Sequence, residues 1–160
     1  MSKFTDFPEQ PRLMQDNEGR FYFDEMMKQI RNYGPGEIIA VHRSGFSYAM
    51  WAAQQLSLPL GVYWPKTGII TRTSNATKIV FVDDNTVKGE TFLICKEMMA
   101  QQYRAGIDWR WAVLFTDWNT PDYIRADIIS GARLPYFAEG DFWGSMKTPS
   151  GYGVRSRDEK

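Results

Sequence analysis

The sequence predicts a single α/β domain whose central, mainly parallel sheet is flanked by helices. Three observations lead there. Short apolar runs at residues 37–41, 61–64, 78–82 and 109–115 read as buried strands. Apolar residues at helical spacing lie between them, at 23–30, 47–56 and 91–105. Strand and helix therefore alternate, as they do where parallel strands are joined by helical crossovers. The chain is 160 residues long, the size of one domain and enough to bury a core without disulfide or metal support.

In chain order, the first twenty residues are polar, include Pro8 and Pro11, and predict an irregular arm. Phe23, Met26, Met27 and Ile30 then share one helical face, and Gly34-Pro35-Gly36 stops that helix. The first strand is 37–41. A helix over 47–56 turns Ala49, Ala52, Ala53 and Leu56 inward and is broken by Pro59. The second strand follows at 61–64, and residues 65–77, rich in Thr, Gly, Ser and Asn, read as a loop. Lys78-Ile79-Val80-Phe81-Val82 is the third strand and ends at Asp83-Asp84. Phe92, Cys95 and Met99 fall on one face of the helix over 91–105. The fourth strand covers 109–115, and a further short one is expected near 124–129. The core of the domain spans about 20–130, and the Gly-, Ser- and charge-rich tail, 148–160, reads as loose.

Composition excludes several function classes. Hydrophobic residues make up 43% and charged residues 24%, so the chain as a whole is not disordered. Nineteen basic residues balance nineteen acidic ones, which argues against a nonspecific nucleic-acid binder. Cys95 is the single cysteine and His42 the single histidine, so neither a disulfide framework nor a Cys/His metal cluster is available. No apolar run approaches the ~20 residues that cross a bilayer. Residues 1–6 lack the apolar stretch of a signal peptide, which predicts a soluble, cytoplasmic protein with no membrane partner. Aromatic residues reach 15%, with six tryptophans; most supply core area, and a few are available to stack on a planar ligand.

Ligands of parallel α/β sheets bind at the carboxyl ends of the strands. The loops after Val41, Trp64, Val82 and Phe115 are therefore where chemistry is expected. The strongest local signal is Val80-Phe81-Val82-Asp83-Asp84-Asn85-Thr86-Val87-Lys88-Gly89-Glu90-Thr91: a strand, two adjacent acids, a turn and a helix start. Free amides at a helix N-terminus attract anions, phosphate above all. Gly89 lets the backbone approach a ligand, Thr86 and Thr91 offer hydroxyls, and Lys88 brings a positive charge. Asp83 and Asp84 would accept hydrogen bonds from sugar hydroxyls or hold a hydrated Mg²⁺. Together these point to a sugar phosphate. Two other readings stay open: the acids cap the turn and the helix, or one is a phosphoacceptor carboxylate. A Walker A loop is excluded, because Gly-x-x-x-x-Gly-Lys is absent.

The same segment resembles the ribose-phosphate motif of the type I phosphoribosyltransferases: a strand, two acids, a few variable residues, then usually Thr-Gly-Gly-Thr. Lys88-Gly89-Glu90-Thr91 occupies that last slot, with Lys88 and Glu90 departing from it. Ile38-Ile39-Ala40-Val41-His42-Arg43-Ser44-Gly45-Phe46 is similar to the family's first strand and pyrophosphate loop. Tyr63-Trp64-Pro65-Lys66-Thr67-Gly68 resembles the start of the mobile loop of the adenine and orotate branches. The resemblance covers about residues 37–115.

The resemblance implies a Mg²⁺-dependent enzyme that transfers ribose 5-phosphate from phosphoribosyl pyrophosphate (PRPP) to a nucleobase or related acceptor. Asp83 and Asp84 would hold the ribose hydroxyls and the metal, with Arg43 and Lys66 as further catalytic residues and Arg72 as a looser candidate. Residues Asn85, Thr86, Val87, Lys88, Gly89, Glu90 and Thr91 would grip the 5′-phosphate. His42, Arg43, Ser44 and Gly45 would take pyrophosphate, and the loop over 66–77 would close on the site. A small hood over the base would come from the N-terminal arm or from 121–146, where Tyr123 and Trp143 are stacking candidates. Packing is the alternative role for both aromatics, and for Cys95 a core position is favoured over a nucleophile. Tyr123 points to the 6-oxopurine branch, whereas Val87, where that branch carries Asp, points to the orotate and adenine branches; the acceptor stays open. A homodimer is also implied. Two other functions fit the same residues: a regulator that senses PRPP or a nucleotide without turnover, and an unrelated α/β domain.

Overall fold

The computed structural model describes residues 10–86, 88–103, 106–117 and 119–134. Helices α1 (Arg12–Gln15) and α2 (Asn17–Tyr33) precede β1 (Glu37–Val41) and α3 (Phe46–Leu56). Strands β2 (Leu60–Trp64), β3 (Ile69–Thr71) and β4 (Lys78–Thr86) follow, then α4 (Glu90–Gln102), β5 (Asp108–Asp117), α5 (Asp122–Asp127) and β6 (Ile128–Leu134). One six-stranded sheet has the order β3-β2-β1-β4-β5-β6. Every pairing is parallel except that of β3 with β2. This is the single α/β domain with a mainly parallel, helix-flanked sheet that the sequence predicts.

Alternation along the strands divides the core between the two sheet faces. Ile38, Ala40, Val80, Val82, Ala112 and Leu114 pack under α2 and α3, against Phe23, Met26, Met27, Ile30, Ala49 and Ala52. Ile39, Val41, Tyr63, Ile79, Phe81, Trp111 and Val113 pack under α4, against Phe92, Cys95 and Met99. The second face is aromatic: Phe81 stacks on Trp111 at 5.7 Å between centroids, and Tyr63 meets Phe81 edge-on at 5.6 Å. Burial on both faces explains why the central strands read as continuous apolar runs. Cys95 is a buried free thiol in this packing, its pKa pushed up by burial.

Four local expectations are corrected. The N-terminal arm is helical from Arg12: Asp16 caps α2 by accepting from the Glu18 amide at 3.0 Å, and Met14 is buried. Residues 65–77 are not all loop, because Ile69-Ile70-Thr71 is a β-branched triplet that pairs back on β2. The third strand continues through the acids to Thr86, paired with β5 as far as Thr116. Residues 122–127 form a short helix rather than a strand; Asp122 and Arg125 pair across one turn of it, and only Ile124 is buried. The strand expected near 124–129 begins at Ile128 instead. Of the expected hood, residues 1–9 and 135–146 lie outside the described residues, and 128–134 belong to the sheet. Among the described residues, no helix is long and apolar enough to cross a membrane.

Candidate functional site

The chain leaves β1 toward β2 on one side, while β4 lies on the other. The connections after β1 and β4 therefore diverge at the carboxyl end of the sheet and open a crevice between them. After β1 comes a tight turn, His42-Arg43-Ser44-Gly45, whose His42–Arg43 peptide bond is cis. The His42 amide donates to the Tyr63 carbonyl at 2.8 Å and the Gly45 amide to Val41 at 3.0 Å. Only glycine fits at Gly45, since a Cβ there would come within 2.2 Å of the Val82 carbonyl oxygen. The turn is thus pressed directly onto the end of β4.

At that contact the Ser44 hydroxyl donates to Asp83 Oδ1 at 2.9 Å, which also accepts from the Asp84 amide at 2.9 Å. Asp84 Oδ1 accepts from the Asn85 amide at 2.7 Å. Burial, and then the neighbouring charge of Asp84, raise the Asp83 pKa well above the usual carboxylate range. Burial raises Asp84 as well, against the hydrogen bonds it accepts. Beyond the strand, Gly89 takes a left-handed φ of 83° and caps α4, whose first turn has no side-chain cap. Its amides and helix dipole face the crevice, a setting that favours an anion. Glu90 opens the helix, opposite in charge to Lys88.

Two cavities meet at Asp83. The smaller, about 260 Å³, is lined by Ser44, Asp83, Asp84, Asn85, Thr86, Lys88, Gly89, Glu90, Thr91 and Phe92. The larger, about 710 Å³, is lined by Val41, His42, Arg43, Ser44, Trp64, Pro65, Lys66, Thr67, Asp83 and Thr91. Ser44, Asp83 and Thr91 wall both. Arg43, Lys66 and Lys88 make no ion pair among the described residues. The larger cavity therefore offers two cations, Arg43 and Lys66, while the smaller sets Lys88 against Glu90 and the carboxylates of Asp83 and Asp84.

No family model and no curated protein sequence matches this chain. Solved structures do. Orotate phosphoribosyltransferase from Aeropyrum pernix superposes with a TM-score of 0.57 at 20% identity, over 76% of this chain and 75% of that one. The purine phosphoribosyltransferase from Pyrococcus horikoshii Ot3 gives 0.55 at 19% identity, over 74% and 81%. The fold is that of the type I phosphoribosyltransferases. A hypothetical protein from Neisseria gonorrhoeae with bound ppGpp shares it, with a TM-score of 0.52 at 18% identity, over 75% and 80%.

Within this phosphoribosyltransferase fold, most of the residues singled out from sequence converge. Asp83, Asp84, Asn85, Thr86, Lys88, Gly89, Glu90 and Thr91 wall the smaller cavity, and His42, Arg43, Ser44 and Lys66 the larger. Gly45 backs the turn. Arg72 is elsewhere: its Nε donates to buried Glu37 at 2.8 Å, at the opposite end of β1. Tyr123 stands on α5, 63% exposed, and lines neither cavity. Val87 and Trp143 lie outside the described residues. Sequence reasoning gave no role to Trp64, Pro65 and Thr67 as wall residues. Their position at the carboxyl end of β2 was the available signal.

The segment over 66–77, expected to close on the site, continues the turn after β2 into β3 and a return to β4. Pro65-Lys66-Thr67-Gly68 is a four-residue turn, held by the Thr67 and Gly68 amides donating to the Trp64 carbonyl at 3.1 and 2.8 Å. The return segment is pinned by Glu37, which accepts from the Thr73 amide at 2.9 Å and from the Ser74 hydroxyl at 2.6 Å.

Proposed function

We propose that the chain binds PRPP with Mg²⁺ and transfers its ribose 5-phosphate to a nucleobase or related acceptor, releasing pyrophosphate. The observation that carries this reading is the meeting, at the buried carboxylate of Asp83, of one cavity walled by Lys88 and another walled by Arg43 and Lys66. A phosphate at Lys88 and the start of α4 would anchor the sugar, which is binding energy remote from the reacting carbon. Asp83 and Asp84 would accept from the ribose hydroxyls and favour positive charge developing on the ring. Arg43 and Lys66 would stabilise the charge that collects on the leaving pyrophosphate.

The acid pair also fits Mg²⁺. Two adjacent carboxylates, Asp83 buried and Asp84 half-buried, whose proton affinity is raised would be relieved by a divalent cation. Among the described residues no cluster of three ligating side chains exists, so ligand oxygens and water would complete the shell, as is usual for this ion. When bound, the metal supplies charge neutralisation at the pyrophosphate. Calorimetric titration of PRPP with Mg²⁺ tests the reading. Binding is expected in the wild type and is expected to vanish in Asp83→Asn/Asp84→Asn; an unaffected double variant, or no binding by the wild type, rejects it.

One observation favours a second reading, a non-catalytic sensor of PRPP or a nucleotide. A tight hairpin stands where closure would exclude water from the reacting sugar. A ligand that is held rather than transferred has no need of that closure. Pyrophosphate release with a panel of bases separates the two: release identifies the enzyme, and PRPP binding without release identifies the sensor.

A further inference from the structure

Thr120 lines neither cavity, yet it is a buried polar residue, 2% exposed, between β5 and α5. Its hydroxyl accepts from the Asp117 amide at 3.1 Å and donates to the Thr86 carbonyl at 2.9 Å. Thr86 is the last residue of β4 and the last of that strand to pair with β5. Arg125 of α5 steadies Thr120 in turn, its Nη1 donating to the Thr120 carbonyl at 2.8 Å. Ile124, the one buried side chain of α5, meets the far end of the same turn. A Cβ on Gly89 would lie 3.1 Å from Ile124 Cδ1 and Cγ2, so the Gly89 backbone is seated on that side chain. One short connection thus holds the turn before α4 at both ends.

The turn has little else to hold it. Gly89 is left-handed, Lys88 and Glu90 beside it are exposed, and α4 begins without a side-chain cap. Amides that meet a phosphate stabilise it best when their direction is set beforehand. We propose that Thr120 and Ile124 are positioning residues for the sugar phosphate: they touch no ligand, and they fix the turn that Lys88, Gly89 and Thr91 present to the smaller cavity. This rests on the sugar-phosphate reading above and extends it to a segment outside both cavities. It gives Ile124, within the stretch that the sequence resemblance offers as a hood over the base, a task at the phosphate end.

Calorimetry on the full chain with ribose 5-phosphate and with pyrophosphate, each with Mg²⁺, tests the proposal. Pyrophosphate, assigned to Arg43 and Lys66 on the turns after β1 and β2, is the internal control. Thr120→Val keeps the shape and deletes the hydroxyl. It is expected to weaken ribose 5-phosphate about tenfold, the order of one buried hydrogen bond, and to leave pyrophosphate unchanged. Thr120→Ser, which keeps the donor, is expected to bind both as the wild type does. Ile124→Val thins the seat of Gly89 and is expected to weaken ribose 5-phosphate alone, by a smaller factor; it carries the test if Thr120→Val does not fold. Unchanged ribose 5-phosphate binding in the variant that carries the test overturns the proposal. So does a parallel loss of both ligands, which would mark a general loosening of the fold, or a Thr120→Ser variant as weak as Thr120→Val. Each of these leaves the sugar-phosphate reading standing, whereas wild-type protein that binds neither ribose 5-phosphate nor PRPP rejects both.

Discussion

Asp83 is 7% exposed, beside a second carboxylate, in a position that disfavours its own charge. The folded protein therefore holds a proton there at pH values where the unfolded chain has lost it. Stability linked to this group is greatest in acid and falls as pH rises from the ordinary aspartate value through the raised folded one. Asp83→Asn keeps an acceptor for the Ser44 hydroxyl and the Asp84 amide while deleting the charge. At neutral pH the variant is expected to be more stable by on the order of 1–2 kcal/mol, with a flatter pH profile, and to lose PRPP binding. Chemical denaturation across a pH series reads this directly, and a less stable variant would contradict it. The sequence made the acid pair visible by its place before a helix start. Its burial was not visible, because that depends on β4 continuing past the acids and on Gly45 pressing a distant turn against them.

Among the elements, the β2–β3 hairpin departs furthest from what its composition implies. Thr, Gly and Ser around Ile69-Ile70-Thr71 mask a strand that a three-residue window barely signals. What fixes its return is Glu37, a carboxylate with no exposed surface at the start of β1, together with Arg72, Thr73 and Ser74. From sequence, Glu37 reads as the polar edge of an apolar run and Arg72 as a free loop cation; only the fold brings them together. Glu37→Gln leaves Arg72 without its charge partner and is expected to cost about 3 kcal/mol in urea denaturation. It is expected to spare the proposed PRPP site at the other end of the sheet, and a variant of unchanged stability would show the network to be dispensable. The long central strands and α2, α3 and α4 were legible because each shows its period over several residues. Helix α5 was not: its six residues carry one buried side chain, too little to separate helix from strand.

For the molecule as a whole, strand order was beyond the reach of the sequence, because pairing of β1 with β4 joins segments some forty residues apart. The alternation of elements pointed to the class, and the resemblance of three segments to the fold; the joining of those segments around one crevice came from the sheet. That joining has a consequence for how occupants of the crevice affect one another. Ser44 belongs to the turn after β1, yet its hydroxyl rests on a carboxylate of β4, and both residues face both cavities. Filling one cavity therefore alters a boundary of the other, and the two affinities must change by the same factor in either order of addition. Ribose 5-phosphate titrated with and without saturating pyrophosphate is expected to show a several-fold difference. Ser44→Ala is expected to bring that ratio toward one while each ligand still binds alone; a ratio of one in the wild type would mean the shared wall is passive. With that difference, a single serine hydroxyl makes the crevice answer to the combination of its visitors, as a small two-input device would.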